Sequence, residues 1–512
     1  MPYPEYPPAG RARAKLFAER IINRTKHFGW KEETKKPTMS SLKSSVPHLK
    51  EPRWDKNFQD KKPRYSTVVE PQTESHNRRV FRLAWPVIGE NFLQTMLGIV
   101  DTFMVALIGA QALAGVGSAI QIMFFVIAAL SATSVGSSVL VAQAVGAKDL
   151  ARAGSLAKQS LVWSVIISIP LIVIGLSATE QIIGIFGMEP VVAQIGVDYL
   201  RVTMGTISVL TLLTLSGGVL RGAGDSRTPM LATAIANVVN VVLTYGFIFG
   251  ELGLPELGVV GSAWGTFLSR IIGFGILFYF LWRGRNGVTV RGRTDWWPRL
   301  GTARQLLQIG IPAAIEQVLI SVALLTLTIV VARLGTETLA AQRIVFNALS
   351  ISFLPGIGFG LAATALVGQS VGAGHPEEGQ ILGRIATIWA VMWMSVLGLF
   401  FIIFRTNIIG WFTDDPTVVV IGTGGLFTLA LTQPFWAISI VQSSALRGTG
   451  DTQYPLRVNT IGIWSAVLLG ALFAIYLNGS LAMIWSAFLV TGPISSWLLW
   501  RRFHRTIAEP VV

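Results

Sequence analysis

From residue 83 onward the chain reads as long apolar runs separated by short polar breaks. About 20 apolar residues are enough to cross the hydrocarbon core of a bilayer as a helix. Twelve such spans are predicted, beginning near Leu83, Gly117, Ala157, Val192, Leu231, Val259, Gln308, Ala341, Arg384, Val418, Arg457 and Leu481. Most breaks are short, so consecutive helices should pack as antiparallel neighbours. The longest break, Arg283 to Gln305, is basic and falls between spans six and seven. The expected organisation is a basic, disordered cytoplasmic tail (1–82), a first six-helix lobe (83–282), a cytoplasmic linker (283–306), a second six-helix lobe (307–505) and a short C-terminal tail (506–512).

The two halves repeat. At a constant shift of 226 residues Pro86 falls on Pro312, Glu90 on Glu316 and Gly109 on Gly335. LVAQAVGA and LVGQSVGA put Gln143 and Gly146 on Gln369 and Gly372, and LRGAGDSRTPM (220–230) matches LRGTGDTQYPL (446–456). Several segments in one register without a net gap mark a tandem duplication. The fold class is therefore an all-α membrane protein, with twelve transmembrane helices in two pseudo-symmetric lobes. Basic residues gather in the even-numbered connections and at the C-terminus, for example Lys148, Arg152, Arg221, Arg227, Arg447 and Arg501. By the positive-inside rule both termini are cytoplasmic. Each lobe then holds an even number of spans, so the lobes are parallel and related by an axis along the membrane normal.

Polar residues inside the spans are the candidates for chemistry, because an ionisable group in hydrocarbon is costly and usually faces a wet route. Glu90, Gln94, Gly98 and Asp101 share one stripe of the first helix, with the two acids about 16 Å apart along the axis. Glu90 and Glu316 are equivalent and are expected to face each other across the pseudo-twofold axis, where transporters place substrate and ions. The alternative is that each bonds helix backbone beside Pro86 or Pro312, or reaches the interface. Asp101 has no twin, since Leu327 occupies its place, and so implies asymmetric work such as ion coupling. Gln121 and Asn347 are repeat partners, and Asn240 lies in span five. These three are candidate cavity linings, with plain helix-to-helix hydrogen bonds as the alternative. Arg270 in span six is expected to pair with an acid or with carbonyls. In the repeated LRG motifs Arg221 with Asp225, and Arg447 with Asp451, are expected to pair locally and to form structural turns and hinges.

Composition narrows the function classes. Only 13% of the 512 residues are charged, about half the share in soluble domains. Cysteine is absent, which excludes disulfides, thiolate metal sites and thiol nucleophiles. None of the five histidines falls in a predicted span, and no phosphate-binding loop or dinucleotide fingerprint occurs. An enzyme is therefore not expected, and no cofactor or resident metal is called for. The net charge of +14 is concentrated in residues 1–82, which hold 19 Lys/Arg against 9 Asp/Glu. There the charges alternate in sign, which gives no reason to expect nucleic-acid binding.

The motif P-x3-E…VDTFMVALIGAQALAGVG, the repeated LVxQxVGA and the paired LRGxGD segments together resemble the multidrug and toxic compound extrusion (MATE) family, in its DinF-like or a related prokaryotic branch. The likeness covers about residues 80–505. It implies two six-helix lobes around a central cavity, location in the plasma (inner) membrane, and export of amphipathic, cationic small molecules in exchange for Na⁺ or H⁺. Asp101 matches the family's first-span aspartate, which the resemblance makes the ion-coupling residue. In the DinF-like Asn-x3-Asp of span five, Asn240 matches and Thr244 replaces the acid. The seventh-span glutamate of NorM-like members falls on Ile320. The resemblance thus implies ion coupling at Asp101, Asn240 and Thr244, with Glu90 and Glu316 assisting. The expected partners are a small amphipathic substrate and membrane lipid, and the expected state is a monomer. The rival reading is a lipid-linked saccharide flippase of the same broad superfamily.

Overall fold

Fourteen helices account for most of residues 75–476 and 479–508, the part of the chain described by the computed structural model. The expected basic tail lies outside these residues except for 75–82, which open the first helix. The first half contains α1 (His76–Ala106), α2 (Ala110–Gly146), α3 (Leu150–Ser177), a single short α4 (Thr179–Gly184), α5 (Pro190–Gly205), α6 (Ile207–Gly222), α7 (Arg227–Phe249) and α8 (Gly258–Arg283). The second half contains α9 (Leu300–Ala332), α10 (Thr336–Gly372), α11 (Pro376–Gly410), α12 (Pro416–Thr449), α13 (Gln453–Tyr476) and α14 (Leu481–Ala508). Ten of these helices are long and apolar enough to cross a membrane. Large apolar side chains such as Val238, Ile461 and Leu468 are exposed on their flanks, the surface that lipid would cover. The chain is an integral, multi-pass membrane protein.

Local chemistry fixes the helix ends. Ser75 and Asp149 accept a backbone N–H from the third residue on, at 3.4 and 2.9 Å, and Asp415 caps α12 through Thr417 N at 2.8 Å. Side-chain acceptors of this kind satisfy N–H groups that a helix start leaves open. Gly109 and Gly335, partners in the repeat, precede α2 and α10 at φ 149° and 115°, a region that a side chain disfavours.

Two stretches depart from the expected single spans. The span expected from Val192 is two helices, α5 and α6, bent by 51° at Thr206. The Thr206 hydroxyl donates back to Val202 O at 2.8 Å, an arrangement that bends helices. The equivalent α12 runs unbroken through Pro434. The linker is not free either. Gln159, fully buried on α3, donates to the carbonyls of Asp295 and Trp297 and accepts from Arg299 N. Lys158 donates to Thr294 O at 3.1 Å.

The hydrophobic clusters define how the halves meet. One joins Val80, Leu83 and Ala84 of α1 to Phe359, Ala362 and Leu382 of α10 and α11, and to Leu499 and Phe503 of α14. Another joins Leu306 of α9 to Leu140 and Val141 of α2. Both lie at the end that holds the start of α1 and the end of α14, here termed the terminal end. At the opposite, far end each buried cluster belongs to one half alone, residues 105–263 or 323–488. The two halves therefore interlock at the terminal end and keep separate cores at the far end.

Candidate functional site

The duplicated glutamates do not face each other. Glu90 on α1 is buried, and both its oxygens accept from Arg221 Nη1 on α6, at 3.1 and 2.9 Å. Glu316 on α9 is buried more deeply, 2% exposed. Its Oε1 is ion-paired with Arg447 Nη2 of α12 at 2.8 Å and accepts from Asn459 Nδ2 of α13 at 2.6 Å. Each acid is thus neutralised within its own half. The alternative of backbone bonds beside Pro86 and Pro312 is not found either.

These pairs overturn the expected local pairing in the LRG motifs. Asp225 bonds Arg285 at 2.7 Å, just past α8, and caps α7 through Thr228. Asp451 bonds Arg502 of α14 at 2.9 Å. The physical reason is directional. The arginine sits in the last turn of a helix and points along it into the bundle, while the aspartate beyond the helix end turns back to cap the next one. Burial opposes the charge on Asp225, but the Thr228 hydroxyl and Arg285 outweigh that and hold its carboxyl below the ordinary range.

Asp101 is half-buried on α1, and its Oδ1 is out of contact with solvent and bonded by no protein group. Arg270 of α8 and Tyr199 of α5 lie within its electrostatic reach. Among the described residues no ion pair or hydrogen bond joins Arg270 to Asp101, so the expected pairing is not seen. Asn240 and Thr244 are fully buried one turn apart on α7. Asn240 Nδ2 donates to Thr266 Oγ1 at 3.1 Å, and Thr244 Oγ1 donates to Asn240 Oδ1 at 3.4 Å. Among the described residues no hydrogen bond joins this α7–α8 cluster to Asp101. Gln94, Gln121 and Asn347 are exposed.

Sequence reasoning missed two features. The first is a cavity of about 430 Å³ enclosed by α9, α10, α12, α13 and α14. Glu316, Asn459, Ser443, Arg447 and Ser495 line one part of it, and Phe346, Phe353, Trp436, Trp485 and Phe488 another. Asn459, a polar residue inside the span in LRVNTIGIW, was a legible signal for it. The second is a reciprocal contact at the terminal end. Gln143 Nε2 donates to Gly448 O at 3.1 Å, and Gln369 Nε2 donates to Gly222 O at 2.9 Å. Each glutamine thereby binds the LRG glycine of the other half, and all four residues obey the 226-residue shift. The helices cross so closely that a Cβ at Gly146 or Gly372 would overlap the carbonyl of Gln369 or Gln143.

A helical membrane fold built from two copies of one unit, each with a buried acid on its first helix, defines a duplicated membrane protein of the transporter type. The profile of the MatE family matches residues 86–246 and 312–472, both at the 226-residue offset. The chain belongs to the MATE family. It is 33% identical over 394 residues to a probable multidrug resistance protein NorM of Thermotoga maritima, covering 76% of this chain and 84% of that one. It is 30% identical to the multidrug resistance protein NorM of Burkholderia vietnamiensis over 407 residues, 78% of this chain and 87% of that protein. Among solved structures, a MOP superfamily transporter from Pyrococcus furiosus superposes with a TM-score of 0.79 at 22% identity, over 85% of this chain and 96% of that one. An outward-facing multidrug resistance MATE family transporter gives the same score, identity and coverage. At that identity the likeness establishes the fold.

Proposed function

We propose that this protein is a cation-coupled antiporter that exports amphipathic small molecules bearing a basic group, by alternating access between two six-helix lobes. The twelve spans are then α1, α2, α3, the bent pair α5–α6, α7, α8 and α9 to α14. Relatives named as multidrug resistance proteins support the cargo class. The observation that carries the mechanism is the one-ended interlock of the halves. Clusters that bridge the halves only at the terminal end describe one of two alternate states, and a rocking motion would exchange them. Lys148, Arg152, Arg227 and Arg285 belong to connections at the terminal end, so the positive-inside rule assigns that end to the cytoplasm. The interlocked form is then the one open to the outside.

Asp101 is the residue we assign to the coupling ion, Na⁺ or H⁺. It has a bare carboxylate oxygen in a dry setting, and an intramembrane acid of this kind costs several kcal/mol unless it serves a route. Flux of a fluorescent amphipathic amine into proteoliposomes, driven separately by Na⁺ and H⁺ gradients, tests the proposal. Uptake should follow one imposed gradient and vanish when it is collapsed. Flux indifferent to both gradients would refute coupling, and no flux of any amphipathic amine would refute export.

A further inference from the structure

The two buried glutamates are twins in sequence but not in bonding. Glu90 has both oxygens bonded to Arg221. Glu316 takes its ion pair and its hydrogen bond at Oε1 alone and leaves Oε2 buried with no protein partner. Its ion partner is equally unfinished, since Arg447 Nε is buried and unbonded. A bare acceptor and a bare donor beside a closed ion pair each forgo a bond that is costly to leave unmade once buried. Both residues line the second-half cavity.

The rest of that cavity is also asymmetric. Its aromatic wall is continuous, with ring centroids 5.8 Å apart for Phe346–Trp485, 5.1 Å for Trp485–Phe488, 6.0 Å for Phe488–Trp436 and 5.7 Å for Trp436–Phe353. At the twin positions of Phe346, Phe353 and Trp436 the first half has Ile120, Ile127 and Leu210. The duplication therefore kept the ion pair twice and built an aromatic chamber around one copy. A volume of about 430 Å³ suits a small organic molecule.

We propose that this chamber binds an amphipathic zwitterion, with its apolar or aromatic body along the ring wall and its head against Glu316 and Arg447. Neither bare atom is open to the cavity while the ion pair is undisturbed, so binding turns the two side chains: the ammonium of such a head then donates to Glu316 Oε2 while its carboxylate accepts from Arg447 Nε. Glu316 and Arg447 already cancel one another, so a zwitterion adds no net charge to the chamber. A fixed cation without N–H groups adds one, and it can complete neither bond. This deepens the exporter reading by naming the charge class of the cargo, and binding itself does not depend on transport.

Four probes that share a dansyl body test it on the purified protein in lipid nanodiscs: dansyl-lysine, dansylcadaverine, its trimethylammonium derivative and dansyl-aminohexanoate. Binding is read by dansyl fluorescence. Dansyl-lysine should bind at least tenfold tighter than the trimethylammonium probe, and the paired change Glu316→Gln with Arg447→Gln should reduce that ratio to within twofold. Ile320→Trp, which narrows the chamber from α9 while keeping both members of the ion pair, should weaken all four probes tenfold. Equal affinities across the series, a preference that survives the paired change, or unaltered binding in Ile320→Trp would each overturn the site. Binding of the expected pattern with no flux in proteoliposomes would refute export and leave the site standing. Flux without the binding preference would remove the site alone.

Discussion

Glu90 and Arg221 illustrate what a charge costs once it is out of water. Both side chains are largely buried, 11% and 14% exposed, so removing one partner strands the other in a medium that solvates it poorly. Glu90→Gln is expected to destabilise the protein by roughly 3 kcal/mol, measured by thermal unfolding in detergent. The double change Glu90→Gln with Arg221→Gln should recover part of that loss. Asp101 presents the opposite case, an acid with one oxygen unbonded. Asp101→Asn should lower gradient-driven efflux at least tenfold while the amount of inserted protein stays constant, and unchanged efflux would count against its coupling role. Asp225 lies outside the spans, and its folded carboxyl titrates below the unfolded value of about 3.9. Its contribution is complete above that value and is lost as the pH falls through the lower, folded one. Asp225→Asn should therefore lower stability at neutral pH and flatten its decline below about pH 4.

At the scale of elements, the crossing of α2 and α10 is the contact that must open if the halves are to rock. Its two glutamine bonds are modest, about 1 kcal/mol each, which suits a latch that forms and breaks. The glycines at the crossing set a harder limit, because a Cβ there has nowhere to go. Gly372→Val should hold the terminal end apart, whereas Gln143→Ala with Gln369→Ala should only shift the balance toward that state. The absence of cysteine from the chain makes spin-labelling clean. Labels at Ala147→Cys and Ala373→Cys, exposed repeat partners at the terminal end, should report a longer distance in both variants, and the larger increase in Gly372→Val. The elements themselves were mostly legible, because 20-residue apolar runs admit few alternatives in a bilayer. The break at Thr206 was not legible. Apolar periodicity runs through it on both sides and so does not record a bend.

For the molecule as a whole, the alternating access proposed above would make the two ends move in opposition. Gln111→Cys and Glu337→Cys, repeat partners at the far end that are exposed, should approach one another in the same samples where the Ala147 and Ala373 labels separate. Independent changes at the two ends would contradict a rocking mechanism. The amino-acid sequence alone determined the class of protein, the duplication, the division into halves and the presence of acids within the first helix of each. Those follow from hydropathy and from register, which are properties of the chain read in one dimension. Only the tertiary structure decided which charges meet. Arg221 and Arg447 each lie four residues before the aspartate expected to hold them, yet each reaches an acid 131 residues earlier in the chain. Helix packing, not proximity along the chain, sets which polar atoms are brought together away from water. It also decided that one glutamate has both oxygens bonded while its twin, lining the second-half cavity, leaves one buried oxygen unbonded.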